Sequence, residues 1–122
     1  MATTLAPFQA LDPDAQGTAQ ANVSASGTAQ TIPDPYTGTL NTITLTGNCT
    51  FTFPTAVTGA RIILKLTQDG TGSRTVTWPA AVKWAGATAP TLSTGAGKSD
   101  YFSFRCVDGT TWVGQTMGLD VR

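Results

Sequence analysis

Residues 64–113 read LKLTQDGTGSRTVTWPAAVKWAGATAPTLSTGAGKSDYFSFRCVDGTTWV, and this stretch decides the fold. It divides into strand segments separated by Asp69-Gly70-Thr71-Gly72, a proline-bounded loop and Asp108-Gly109. An Asp-Gly pair between β-formers predicts a tight hairpin, because glycine takes the positive φ that such a turn requires. Both pairs are therefore expected to reverse the chain. Between them, Trp78-Pro79 and Lys83-Trp84 offer two indoles to cover one end of a small β core. Nothing in the stretch has the pattern of an active site.

Working outward, the apolar residues keep a period of two. Phe102, Phe104 and Cys106 share a face opposite Tyr101, Ser103 and Arg105. Ile62, Leu64 and Leu66 alternate with Arg61 and Lys65. Upstream, Ile43 and Leu45 share one face, and Cys49, Phe51 and Phe53 share another. Alternation of this kind marks half-buried strands rather than helices. Val76 and Trp78, then Val82 and Trp84, continue it, and Pro79 places its strand at an end or an edge. Ser26-Gly27 and Gly47-Asn48 are expected turns, and Pro33 and Pro35 break the chain before Tyr36. About eight short strands result. The predicted fold is all-β: a single antiparallel β-sandwich, jelly-roll-like, with two inner faces about 10 Å apart.

Composition agrees. Roughly a fifth of the 122 residues are threonine, which fits a pleated surface and loses side-chain freedom in a helix. Apolar residues make up 40%, enough for one domain. Formal net charge is zero and charged residues are only 11% of the chain, against an average of about 25%. No basic excess is present to meet a phosphate backbone, and no polybasic or amphipathic segment to meet a membrane, so neither nucleic acid nor membrane is an expected partner. A weakly charged surface suits coverage by other proteins.

The residue types needed for catalysis are missing. There is no histidine and no glutamate, and the seven aspartates Asp12, Asp14, Asp34, Asp69, Asp100, Asp108 and Asp120 are scattered. That spacing makes no acid–base dyad and no calcium loop; turn formation explains it. Gly70-Thr71-Gly72-Ser73 is followed by a strand pattern, not the helix a phosphate loop opens. Cys49 and Cys106 either form a disulfide or are two buried thiols, and the lack of a leader segment favours thiols. No cofactor, no metal and no enzymatic activity are expected.

Three segments are predicted: an extended N-terminal arm (residues 1–18), a β-sandwich domain (19–115) and a C-terminal tail (116–122). The arm has no periodicity, and Leu5, Phe8 and Leu11 are the residues expected to bind a partner. Trp78, Trp84 and Trp112, with Tyr36 and Tyr101, admit two interpretations. They cap a small core, which their place in alternating strands favours, or Tyr36, Trp84 and Tyr101 form an exposed saccharide platform.

The blocks NTITLTGNCTFTFP (41–54), LTQDGTGSRTVTWPAAVKW (66–84), APTLSTGAGK (89–98) and DGTTWVG (108–114) resemble a β module of tailed-bacteriophage virion proteins. The resemblance spans about residues 20–115 and implies a virion structural protein made in the bacterial cytoplasm. Fibre proteins carry such a module within a longer chain, whereas this one has 122 residues and a short arm. The expected role is therefore a capsid decoration, or cement, protein on the capsid exterior. It would assemble as a homotrimer and clamp the major capsid protein through its arm. The alternative is a tail fibre, adhesin or tail-tip component that recognises the host surface, with saccharide as the ligand.

Overall fold

The structure is a computed structural model that describes residues 21–35 and 40–122. The strands, in chain order, are β1 Ala21–Ala25, β2 Ala29–Thr31, β3 Leu40–Leu45, β4 Cys49–Thr52, β5 Arg61–Gln68, β6 Val76–Thr77, β7 Val82–Lys83, β8 Ser99–Cys106 and β9 Trp112–Gly118. A 3-10 turn at Ala85–Ala87 follows β7.

Two sheets form. The larger has the order β1-β3-β5-β8-β9-β7, and the smaller β2-β4-β6. The alternating positions fall as their period requires. Ile43 and Leu45 of β3, Ile62, Leu64 and Leu66 of β5, and Phe102, Phe104 and Cys106 of β8 are buried, while the residues between them are not. Cys49 and Phe51 of β4 meet them from the smaller sheet. Aromatic rings close the gap: the Phe53 ring stands 4.9 Å from that of Phe104, and the Trp78 ring 5.7 Å from that of Phe102, both edge-on. Rings in such contact add about 0.5–1.5 kcal/mol beyond their buried area.

The chain is all-β and its two sheets enclose one core, as expected. The strand directions correct the antiparallel, jelly-roll-like expectation. β1, β3 and β5 run parallel, β2, β4 and β6 run parallel, and β7 pairs parallel with β9. Among the described residues only β5–β8 and β8–β9 are antiparallel. From β1 to β6 the chain winds through three coils, each laying one strand in the larger sheet and the next in the smaller. Parallel neighbours need a long return path. Here the strand in the opposite sheet supplies it, where a helix does so in most proteins.

Polar corners fix the coils against each other. Ser26 Oγ accepts the Thr46 N–H at 3.2 Å, and Thr46 Oγ1 accepts the Gly27 N–H at 2.8 Å. One coil further, Asn48 Oδ1 accepts the Thr75 N–H at 3.1 Å. A Cβ on Gly47 would lie 3.0 Å from the Gly27 carbonyl oxygen, so the corners stack closely. Ser26-Gly27 and Gly47-Asn48 are turns, but they carry the chain between sheets rather than back along one.

The two Asp-Gly pairs part company for the same reason. Asp108-Gly109 joins the antiparallel β8 and β9, and Gly109 has φ +80°. It is the hairpin expected. Asp69-Gly70 is not: β5 and β6 lie in different sheets, and the positive φ values fall at Gly72 (74°) and Ser73 (59°). The Asp69 carboxylate sets that corner by accepting the Thr71 and Gly72 N–H groups at 3.1 and 3.0 Å. Strand β9 also runs to Gly118, past residue 115, where the predicted domain ends.

Candidate functional site

Of the residues singled out in the sequence, Leu5, Phe8, Leu11 and Tyr36 lie outside the described residues. Trp84 and Tyr101 are described, and they stand on opposite faces of the larger sheet. Trp84 packs on the core side, its ring 5.2 Å from Trp78, 5.5 Å from Phe104 and 6.0 Å from Phe102. Tyr101 lies on the outer face, where Lys65 Nζ is 5.9 Å from its ring centroid. The two rings therefore share no platform. Trp112 is buried, and its indole N–H donates to the Pro54 carbonyl at 3.2 Å.

Gly114 makes room for Trp84. A Cβ there would lie 2.7 Å from the indole ring, closer than real Cβ contacts come. Gly114→Ala is expected to displace Trp84 and to cost about 1–3 kcal/mol, the usual range for overpacking. Urea unfolding with the near-ultraviolet dichroism of the indoles as reporter checks this. An unchanged midpoint and spectrum would mean the ring has space to yield.

A cleft opens beside the last coil. Trp78, Pro90 and Leu92 form its apolar wall, and Arg74, Thr75 and Thr94 its polar rim, around a volume of about 250 Å³. Its two sides are tied by polar groups that enter the core. Gln68, buried at the end of β5, donates through Nε2 to the Arg74 and Ser93 carbonyls, both at 3.0 Å, and accepts the Arg74 N–H at 2.9 Å. Asp100, buried at the start of β8, accepts the Ser93 N–H at 2.7 Å and the Asp120 N–H at 2.8 Å. Gly72 completes the fit: a Cβ at that position would stand 2.6 Å from the Thr94 carbonyl oxygen. An aromatic wall with hydroxyls and a guanidinium at its rim can stack on an apolar ring face and bond its polar edge.

Charge is held at the turns. Arg74 bonds Asp69 through Nε at 3.2 Å and Nη2 at 2.9 Å, and this pair, with the turn N–H groups, lowers the Asp69 carboxyl from 3.8 to about 2. The Thr110 and Thr111 N–H groups and the Thr111 hydroxyl hold Asp108 well below the usual carboxylate range. A carboxylate with a depressed folded pKa contributes stability that is fully present above its unfolded pKa and lost as pH falls through the folded one. The unfolding midpoint is thus expected to be insensitive to these two groups above about pH 5, and to fall between about pH 4 and pH 2. Asp69→Asn with Asp108→Asn should flatten that limb of the profile; an unchanged acid limb would assign it to other groups.

Cys49 and Cys106 are separate buried thiols. Burial raises the Cys49 pKa, and Cys106 Sγ accepts the Gly109 N–H at 3.2 Å. Among the described residues, no three His, Cys, Asp or Glu side chains cluster to hold a metal ion. Sequence reasoning passed over Gln68 and Asp100, although a signal was there. Each stands at the phase of the buried residues, Gln68 after Leu64 and Leu66, Asp100 before Phe102 and Phe104. A polar residue in an apolar phase at a strand end marks a buried hydrogen-bonding group.

Comparison with known proteins adds one match. The family described as "Putative phage tail fibre C-terminal domain" matches residues 27–99, which run from the first corner through all later coil strands to the start of β8. The matched span contains the cleft. No curated protein and no solved structure matches the chain.

Proposed function

The chain belongs to the phage tail fibre C-terminal domain family, and from that membership we propose that it serves in the tail, as a fibre domain that meets the host surface. It is a structural protein of the phage virion. The observation that carries the tail reading is the family match over residues 27–99. It favours the fibre alternative over the capsid decoration role expected from chain length, and the capsid exterior as location loses its support with it. The role is mechanical and adhesive, without catalysis. Its partners are copies of itself, arranged as a homotrimer in the fibre, and a host-surface ligand.

The cleft beside Trp78 is the surface best suited to that ligand. A saccharide offers an apolar ring face to Trp78 and hydroxyls to Thr75, Thr94 and Arg74, which matches the lining of the cleft. Quantitative mass spectrometry of purified virions tests the location. A tail fibre domain should be present at about three to eighteen copies per particle, the range of small symmetric assemblies. Hundreds of copies would return it to the head. Ligand recognition is tested separately: the purified protein should saturably block phage adsorption to host cells, and no block at saturating protein would end the host-binding part of the reading.

A further inference from the structure

The formal charge of the chain sums to zero, yet its cations are not spread evenly. Among the described residues, Arg74, Lys98 and Arg122 form ion pairs, with Asp69 and Asp120. Arg61 and Arg105 enter none. They are direct cross-strand partners on β5 and β8, both exposed, on the outer face of the larger sheet. Lys65 stands on that face too, beside the Tyr101 ring. Like charges placed opposite one another destabilise a strand pair, so Arg61 and Arg105 work against the fold unless an anion joins them.

A groove of about 270 Å³ runs beside the two arginines, with Ile63, Val107, Val113 and Met117 in its walls. The last three are 66%, 49% and 57% exposed. Val113 faces Arg105 across β8 and β9, so positive charge and aliphatic surface meet at one place. An exposed apolar cluster beside charged groups marks a binding surface.

Chemistry narrows the ligand. Arginine is always protonated, and its planar fork meets phosphate oxygens two at a time. The pair carries two positive charges. A carboxylate brings a single negative charge, whereas a phosphate monoester brings nearly two, with three acceptor oxygens. The aliphatic walls hold no aromatic ring to stack on a sugar, and they suit a hydrocarbon chain instead. A second copy of the chain is a poorer occupant, because its matching face repeats the same cations and its described aspartates are already engaged. Asp69, Asp100, Asp108 and Asp120 hold the partners given above, and Asp34 has its own interaction.

We propose that the groove at Arg61 and Arg105 binds a phosphorylated lipid. Its phosphate monoester lies between the two guanidinium groups, and its hydrocarbon chain runs along Ile63, Val113 and Met117. None of these residues lines the cleft beside Trp78, so the site stands or falls apart from saccharide binding there.

The test is a titration of the full chain with hexyl phosphate at about pH 8, where the phosphate is doubly charged. The arginine Nε–H signals and the Val113 and Met117 methyl signals report on it. Those of Arg61, Arg105, Val113 and Met117 should shift together and saturate. Inorganic phosphate should move the arginine signals alone and bind about tenfold more weakly, the equivalent of about two methylenes left unburied. Hexyl sulfate, with the same chain but one charge, should also bind more weakly than hexyl phosphate. Arg61→Gln with Arg105→Gln should abolish the shifts. If that variant does not fold, Arg105→Gln alone should bind hexyl phosphate and hexyl sulfate equally, since one guanidinium no longer matches the second charge. Failure of hexyl phosphate to saturate these signals overturns the proposal. Equal affinity for inorganic phosphate overturns the lipid assignment, and equal affinity of the parent for hexyl sulfate overturns the role of the arginine pair. Contacts between copies at Val113 and Met117 that hexyl phosphate does not displace also overturn it, and would assign the face to a neighbouring subunit.

Discussion

Replacing Trp112 by alanine should remove about 3–5 kcal/mol of stability, the range for truncating a large buried aromatic. Trp112 is 1% exposed at the point where the β8–β9 hairpin enters the core. Its ring stands 6.1 Å from that of Phe53, and its indole N–H holds the Pro54 carbonyl, which leads the chain out of β4 toward β5. Truncation loses the transfer free energy of the ring, leaves a cavity between the sheets and strands a carbonyl. Domains of this size have about 5–15 kcal/mol in total, so the variant should be partly unfolded at modest denaturant. Urea unfolding measures this, with Val57→Ala as the control. Val57 lies in the loop between β4 and β5 and is 48% exposed, and its truncation should fall within about 0.5 kcal/mol. Equal effects at the two positions would mean that the indole is not part of the core.

The second large effect is expected at Gln68. Gln68→Leu keeps the size of the side chain but removes three hydrogen bonds at once, leaving the Arg74 N–H and the Arg74 and Ser93 carbonyls without their partner. An unsatisfied buried group costs about 1–3 kcal/mol. Some of these groups will turn to water, so about 2–4 kcal/mol in total is expected. The loss should also be local. The segment that follows β5 and the loop that carries Ser93 are joined by this carboxamide and by the Ser73 N–H, which donates to the Thr94 carbonyl at 2.8 Å, so amide exchange should accelerate around residues 72–75 and 92–94 before it does in β3 or β8. A uniform change in exchange would show that Gln68 only adds to global stability. If saccharide binds beside Trp78, this variant should weaken it without touching any residue of the cleft wall.

The faces of the strands were legible in the chain because burial imposes a period of two. Ile62, Leu64 and Leu66 could be assigned to the core without knowing their neighbours, and so could Phe102, Phe104 and Cys106. The direction of the strands was not legible. Parallel and antiparallel partners demand the same alternation, so Ile43-Thr44-Leu45 is identical in a jelly roll and in a coil. The turn residues misled for a related reason. Asp-Gly supplies an N–H-accepting carboxylate and a permissive glycine, and both a hairpin and a corner between sheets use them. At Asp108 the strand segments on either side are of similar length. At Asp69 an eight-residue strand is followed by one of two residues, and Arg74 pulls the carboxylate into the corner. The three tryptophans were legible as core caps. Trp84 and Tyr101 separate onto two faces because one packs against Phe102 and the other belongs to the opposite phase of the same strand. The site itself left a fainter trace, in the polar residues Gln68 and Asp100 that keep the phase of the core.

Location in the particle tests the account most directly. Gold-labelled antibody against the domain, imaged on intact virions by electron microscopy, should mark the tail and its fibres at a few positions per particle. Label spread over the head with a bare tail would contradict the fibre role and restore capsid decoration as the function of this fold.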